Sequence, residues 1–144
     1  QKIRVPYFKI KILELLLYLE ALEIPEEENS KPYFYKTQVE KVKAVQRFLS
    51  EHCAENHTQE ELAEKFDISL TTMKSCFKNI YGSSIGVWLS HYRMNQAAEL
   101  LRTKKDFSIA QIAGEVGYDS ASKFALAFRK VMGMSPREYR KERK

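Results

Sequence analysis

Side chains that could contact DNA bases recur at helical spacing in two short segments of this sequence. In the segment 69–81, Thr71, Lys74, Ser75 and Lys78 are spaced so that they share one side of a helix. In a major groove a lysine can donate to guanine O6 or N7, a hydroxyl can bond several base edges, and an alanine methyl can contact thymine. An ordinary solvated helix face has the same composition, so one such segment alone does not decide between the two interpretations.

A second segment, 120–132, repeats the pattern and doubles the candidate surface. The residues predicted to face outward, and so to be available to bases, are Thr71, Thr72, Lys74, Ser75, Ala121, Ser122, Lys123 and Ala125. The residues predicted to face inward are Met73, Phe77, Ile80, Phe124, Ala127, Phe128 and Val131, with Cys76 beside them. Two matched faces favour a nucleic-acid surface over an ordinary solvated one.

Both segments belong to a longer internal repeat. Residues 62–84, LAEKFDISLTTMKSCFKNIYGSS, match residues 112–136, IAGEVGYDSASKFALAFRKVMGMSP, at an offset of 50 before the turn and 51 after it. Each copy predicts a short helix, a tight turn and a second helix, which is the helix-turn-helix layout. The turn favours a residue that tolerates a positive φ, which Gly117 supplies in the second copy and Asp67, less well, in the first.

The remaining signals predict an all-α protein with no convincing strand. Thr58 and Ser108 each begin a capping box, and Ser135 followed by Pro136 is a further helix start. The predicted elements are a first helix-turn-helix at 58–81, a linker helix at 84–104 and a second helix-turn-helix at 108–132. A linker helix of about 20 residues is about 30 Å long, close to the roughly 34 Å between successive major grooves on one side of B-DNA. One chain could therefore place two recognition helices in adjacent grooves.

A strongly hydrophobic helix is predicted near the N-terminus, at residues 7–23. A heptad-like seam of apolar residues is formed by Phe8, Ile12, Leu15, Leu19 and Leu22. Such a face must be buried within this chain, in a dimer, or against an N-terminal domain that is missing. A polar linker at 25–32 separates it from an amphipathic helix predicted at 37–54. We therefore divide the chain into residues 1–36 and 37–144.

Composition and charge fit a globular protein with a polyanionic partner. The 144 residues are 44% hydrophobic and 30% charged, and the formal net charge is +5. Residues 58–144 carry all of that excess, with fifteen Lys and Arg against ten Asp and Glu.

No stretch reaches the roughly 18 apolar residues of a membrane span. The two cysteines fit a reducing cytoplasm without a disulfide framework, and the three histidines and two cysteines have no metal-ligand spacing. No metal and no cofactor are predicted. The absence of an initiating Met leaves open whether the chain is a fragment of a longer one.

These motifs, in this order, make residues 40–144 similar to the DNA-binding domain of the AraC/XylS family of bacterial transcription regulators. The matching segments are TQEELAEKFDIS, MKSCFKNIYGSS, YRMNQAAELL and SIAQIAGEVGYDSASKFALAFRKVMGMSPREYRK. The first half departs from the family pattern, with Asp67 at a usual glycine and Met73 at a usual leucine. The resemblance implies a seven-helix domain of two lobes joined by the 84–104 helix. It also implies a cytoplasmic regulator of transcription, most often an activator that contacts RNA polymerase.

The resemblance further implies roles for individual residues. It assigns base reading to Thr71, Lys74, Ser75, Ala121, Ser122, Lys123 and Ala125, and contacts with the DNA backbone to Thr58, Lys78, Arg93, Ser108 and Arg129. Family members usually carry an N-terminal domain for ligand sensing or dimerisation, of which residues 1–36 would be the last helix and linker. A homodimer through residues 7–23 or through the missing domain is therefore one candidate arrangement, beside packing of residues 7–23 within this chain.

Two other classes of function are weighed against this one. A helical protein–protein module, with its basic surface on an acidic partner and residues 7–23 as the interaction element, is the alternative; salt-insensitive behaviour toward DNA would favour it. An enzyme is disfavoured, because the sequence has no glycine-rich phosphate loop, no convincing carboxylate pair and no nucleophile beside a base. No catalytic residue is predicted.

Overall fold

The computed structural model describes residues 4–21 and 33–142. Within these ranges there are eight α-helices and no β-strand, so the all-α prediction is confirmed. The helices are α1 (Arg4–Ala21), α2 (Lys36–Glu51), α3 (Gln59–Lys65), α4 (Leu70–Tyr81), α5 (Ile85–Thr103), α6 (Ile109–Glu115), α7 (Ala121–Met132) and α8 (Pro136–Glu142). From α3 to α7 the bounds agree with prediction to one residue, whereas α2 ends three residues earlier than predicted because residues 52–57 form a loop.

Serine caps and left-handed glycines fix the ends of α4 and α7, the second helices of the two repeats. Ser69 Oγ accepts from Thr72 N at 3.2 Å, and Ser120 Oγ accepts from Lys123 N at 3.2 Å. Each such cap is worth about 1 kcal/mol. At the other ends, Gly82 and Gly133 adopt φ of 78° and 80°, where a side chain would be strained. Both copies of the repeat therefore start and stop their second helix by the same chemistry.

The first lobe is built from α2, α3, α4 and the start of α5. Phe77 of α4 is fully buried, and its ring meets Trp88 of α5 edge-on at 5.9 Å between centroids. The other buried members of this core are Val42, Val45, Leu49, Leu62, Ala63, Met73, Cys76 and Ile85. Because one face of α4 is buried in this core, the opposite face is exposed to solvent.

The second lobe repeats this arrangement with the rest of α5 and with α6, α7 and α8. Phe124 and Phe128 of α7 are fully buried, and Tyr139 of α8 meets Phe128 edge-on at 5.5 Å. The other buried members are Met94, Ala97, Ala98, Leu101, Ile112, Ala113 and Val116. Helix α5 thus contributes side chains to both cores, and the prediction of seven helices in two lobes is confirmed for residues 33–142.

The N-terminal helix α1 belongs to a separate unit, because the chain divides between Lys31 and Pro32. Its large apolar side chains from Tyr7 to Leu19 are between 52% and 64% exposed. Lys11 and Glu14 form an ion pair at 3.1 Å on its surface. The predicted end of this helix at 22–23 and the polar linker at 25–32 lie outside the described residues.

Candidate nucleic-acid interface

Helix α4 exposes the side chains that the sequence pattern placed outward. Thr71, Lys74, Ser75 and Lys78 are all exposed, whereas the opposite face of the helix lies in the first core. Their positions follow the helical repeat of 3.6 residues, so they form one continuous strip along α4. A strip with two hydroxyls and two ammonium groups can donate to base edges and to phosphates.

Thr72 differs from its neighbours on α4. It is only partly exposed, and its Oγ1 accepts a hydrogen bond from Ser69 Oγ at 2.7 Å. Thr72 therefore takes part in the cap of α4, because its backbone N also donates to Ser69 Oγ. The interpretation of Thr72 as a fully outward residue is corrected, since it lies at the flank of the strip, beside the buried face.

Helix α7 presents the equivalent strip, and it contains a residue that the sequence analysis missed. Leu126 is 73% exposed, a high value for a leucine, and lies on the outward face of α7. The offset of 51 pairs Leu126 with Ser75, so the repeat itself carried the signal that could have identified it. Ser122, Lys123 and Arg129 are exposed as predicted, while Ala121 and Ala125 are partly exposed.

A shallow cleft lies beside each recognition helix, and the two clefts occupy equivalent positions. The first, of about 270 Å³, is lined by Gln59, Lys74, Lys78, Ser84 and Ile85. The second, of about 250 Å³, is lined by Ile109, Ala121, Ser122, Ala125, Ser135, Pro136 and Arg137. The offset of 51 pairs Lys74 with Ala125 and Ser84 with Ser135. The first cleft is therefore lined by two lysines, whereas the second is lined by one cation, Arg137, and otherwise by small, hydroxyl and apolar side chains.

The first turns of α3 and α6 differ in charge, although both begin with the predicted capping box. Thr58 Oγ1 accepts from Glu61 N at 3.1 Å, and Ser108 Oγ accepts from Gln111 N at 3.1 Å. Glu60 and Glu61 put two carboxylates in the first turn of α3, whereas that of α6 has none. Because a helix N-terminus attracts anions and carboxylates repel them, the end of α6 at Ser108 suits a phosphate better than that of α3 at Thr58.

Arg93 is hydrogen-bonded within the protein, and its contact with the DNA backbone stays a prediction. Its Nε donates to Cys53 O at 2.6 Å, and its Nη2 donates to Glu55 O at 3.0 Å and Asn56 Oδ1 at 3.1 Å. The guanidinium carbon also lies 5.9 Å from the centre of the Tyr118 ring. Three of the five N–H donors of this partly buried side chain are therefore directed at the loop between α2 and α3.

The two helix-turn-helix turns have different surroundings, which explains why one needs glycine and the other does not. Gly117 has φ of +88°, and a Cβ built on it would lie 2.7 Å from Ala54 O. Asp67, at the matching turn, has φ of 50°, and its carbonyl accepts from Lys41 Nζ at 2.6 Å. The Asp67 side chain is fully exposed, so no neighbouring backbone excludes it. The predicted positive φ is confirmed at both turns.

The surroundings of Cys76 and Glu55 shift the pKa of each side chain. Burial raises the pKa of the Cys76 thiol, which makes it a poor nucleophile. Hydrogen bonds from His52 and His57 lower the pKa of Glu55, in the loop that Arg93 contacts. Across residues 4–21 and 33–142, no group of three His, Cys, Asp or Glu side chains could hold a metal ion. In the same ranges, no helix has both the length and the apolar character needed to cross a bilayer.

Comparison with known proteins places this arrangement among regulators of transcription. The family described as "Helix-turn-helix domain" matches residues 62–142. The chain is 34% identical over 95 residues to the HTH-type transcriptional regulator ExsA of Pseudomonas aeruginosa, covering 66% of this chain and 34% of that protein. It is 33% identical over 103 residues to the HTH-type transcriptional activator RhaS of Salmonella schwarzengrund, covering 72% and 37%. The chain thus spans about a third of the length of these curated relatives.

Solved structures show the same fold in residues equivalent to the two lobes. The C-terminal domain of AraT, a response regulator from Geobacillus stearothermophilus, matches with a TM-score of 0.68 and 35% identity, covering 72% of this chain and 85% of that one. The DNA-binding domain of the global transcriptional factor AdpA, solved in complex with a target DNA, matches with a TM-score of 0.67 and 32% identity, covering 71% and 91%. The AdpA structure holds DNA on a domain of this fold.

Proposed function

We infer the function of this chain from the family to which it belongs, the AraC/XylS helix-turn-helix regulators, and we propose that it is a sequence-specific DNA-binding regulator of transcription. The observation that carries the proposal is the pair of equivalent exposed strips on α4 and α7, at an offset of 51 residues. Helix α5, with 19 residues, is about 28 Å long. That length supports placement of α4 and α7 in adjacent major grooves of one DNA duplex.

Discrimination between sequences is assigned to the middle of each strip. In α4, Lys74 would donate to guanine, with Thr71 and Ser75 bonding neighbouring base edges. In α7, Ser122 would bond a base edge, while Ala125 and Leu126 would contact thymine methyl groups. The first half-site is thus expected to be rich in hydrogen-bonded contacts. The second is expected to depend more on shape and apolar contact. Ala121, Lys123 and Thr72, at the strip edges, would act as secondary contacts.

Affinity is assigned to charge on the flanks of the strips. Lys78 and Arg129 are exposed and paired by the repeat, and each would neutralise a DNA phosphate. Ser108, at the start of α6, would present its first backbone N–H groups to another phosphate, and Thr58 would do so more weakly because of the carboxylates beside it. Each neutralised phosphate releases counterions, so affinity should fall steeply with salt.

The test begins with selection of bound sequences from random double-stranded DNA. Fluorescence anisotropy of the selected duplex at several salt concentrations then gives the affinity and its salt slope. A motif with two conserved blocks about one helical turn apart and a steep salt slope is the expected result. The control is Lys43→Ala, which removes the same charge as Lys78→Ala but from an exposed position on α2, outside both helix-turn-helix units. It should leave the salt slope unchanged. Enrichment of no sequence, with binding insensitive to salt, would refute the proposal and favour the basic protein–protein module.

Two protein contacts belong to the same proposal. We propose activation through RNA polymerase, supported by relatives described as activators, among them the virulence regulon activator VirF of Yersinia enterocolitica. We also propose a homodimer through residues 7–23, or through a further N-terminal domain, supported by the exposed apolar side chains of α1. Sedimentation equilibrium of the chain and of Leu15→Glu tests the route through α1, since a dimer formed by this chain through α1 would be lost in the variant. In a bacterial regulator these contacts would be made in the cytoplasm, and no catalytic role is proposed.

A further inference from the structure

The loop at residues 52–57 is the point where the first lobe, the linker helix and the second lobe meet. Arg93 of α5 reaches it from the linker, and Gly117 lies against it from the turn between α6 and α7. We propose that Arg93 and Gly117 form a clamp that fixes the separation and twist of the two recognition helices. In this inference, which rests on the proposed function, Arg93 is a positioning residue that sets the spacing between the two half-sites.

The chemistry of the Arg93 contacts suits a rigid joint. Two of its three acceptors are backbone carbonyls, of Cys53 and Glu55, just beyond the C-terminal end of α2. A cation at a helix C-terminus is favoured by the helix dipole. The planar guanidinium directs Nε and Nη2 at acceptors in a fixed fork, which a lysine ammonium cannot reproduce. The geometry of the guanidinium, and not only its charge, therefore holds the loop.

Gly117 completes the clamp from the second lobe. Its missing side chain lets the α6–α7 turn approach the Ala54 backbone, because a Cβ at this position would lie 2.7 Å from Ala54 O. The neighbouring Tyr118 places its ring 5.9 Å from the Arg93 guanidinium carbon. The Arg93 side chain thus joins α5 to a loop 40 residues earlier in the sequence. The close approach of Gly117 to Ala54 joins the α6–α7 turn to the same loop.

Helix contacts between the two lobes run mainly through α5. Among the helices of residues 33–142, those of the first lobe have at most marginal contact with α6, α7 or α8, and α5 is the element that both lobes share. A single helix bends, and a small bend at its middle moves α4 relative to α7 by a large distance. Arg93 lies near the middle of α5, where the side chains of that helix pass from the first core to the second. A clamp at this position opposes that bending.

The decisive experiment compares duplexes in which the two selected half-sites are moved apart or together by one or two base pairs. Each added base pair displaces the second half-site by about 3.4 Å and rotates it by about 34°. We expect the wild-type chain to lose at least about tenfold in affinity per base pair, comparable with one mismatched base pair. Arg93→Lys, which keeps the charge, should lose affinity at the optimal spacing and bind the altered spacings almost equally well. Arg129→Ala, a replacement of a proposed phosphate contact, should weaken all spacings alike.

A second measurement tests the clamp without DNA. Double electron–electron resonance between two spin labels measures the distance between α4 and α7. The labels are attached at equivalent exposed positions, introduced as Asn79→Cys and Lys130→Cys in a Cys53→Ser background. The wild-type clamp should give one narrow distance distribution, and Arg93→Lys should broaden it while the helical circular dichroism is retained. Should Arg93→Lys prevent folding, Asn56→Ala removes one acceptor only and should broaden the distribution less.

The outcomes separate the clamp from the proposed function. A narrow distribution in Arg93→Lys, or an unchanged preference for one spacing, would overturn the clamp. Uniform loss of affinity at every spacing would instead make Arg93 a direct contact with the DNA. If the wild-type chain shows no salt-sensitive binding to any DNA, the proposed function fails, and the distance measurement still decides whether Arg93 joins the lobes.

Discussion

Replacing Gly117 with alanine has a cost that can be worked out from two separate features of its surroundings. Its φ of +88° disfavours any L side chain, at about 1–2 kcal/mol. The added Cβ would also lie 2.7 Å from Ala54 O. Relieving that contact requires a shift of backbone, which resembles overpacking and costs about 1–3 kcal/mol. We therefore expect Gly117→Ala to lower the free energy of unfolding by about 2–5 kcal/mol.

Two other glycines provide matched controls for these contributions. Gly133 has φ of +80° but nothing within 4 Å of a built Cβ, so Gly133→Ala should cost only the backbone strain, about 1–2 kcal/mol. Gly114 lies in α6 without a positive φ or a close neighbour, so Gly114→Ala should stabilise by about 0.5–1 kcal/mol. Urea denaturation followed by circular dichroism measures all three. If Gly117→Ala costs no more than Gly133→Ala, the close approach to Ala54 does not hold the lobes together, and the reasoning fails.

Three further predictions concern single side chains. Lys78→Ala should weaken binding to every DNA sequence and reduce the salt slope by about 0.9. Lys74→Ala should instead change the preferred base at one position of the site. If Lys74→Ala loses the same affinity for target and for random DNA, Lys74 does not read a base. Replacing the thymine that Leu126 is proposed to contact by deoxyuridine removes one methyl group from the DNA. This change should weaken DNA binding by the wild-type chain about fourfold, the value of one buried methyl group, and should not weaken binding by Leu126→Ala. Equal loss of affinity in both chains would place Leu126 away from the base. Ellman's reagent at neutral pH should modify Cys53 in the folded chain and Cys76 only after unfolding, because burial raises the pKa of the Cys76 thiol; fast reaction of both thiols would contradict the buried position of Cys76.

Local chemistry made the helices and their faces predictable from sequence. Ser69 and Ser120 as caps, with Gly82 and Gly133 as stops, fix α4 and α7 because each acts within a few residues of its own position. The outward direction of Lys74 followed from periodicity alone, since the opposite face carries the large apolar side chains.

Contacts between distant parts of the chain were not predictable in this way. Arg93 looks like a surface cation in the sequence, but its acceptors lie about 40 residues away, and two of them are carbonyls that every residue has. The turn at Gly117 was predicted from its φ requirement, while its packing on Ala54 depends on how the lobes meet. Leu126 was missed because an exposed leucine breaks the usual pattern of polar outward residues, although the offset of 51 pointed to it.

The sharing of α5 between the two cores has a consequence for how this protein can be divided. Ile85 and Trp88 of α5 pack into the first core, and Met94 and Leu101 of α5 pack into the second. One helix therefore supplies part of each core. A cut in the first turns of α5 would open the first core, and a cut beyond Met94 would open the second. A cut near Arg93 would leave each core its own side chains but would break the helix that joins the two lobes. The two copies of the repeat therefore have separate cores, and their relative position depends on the continuity of one helix.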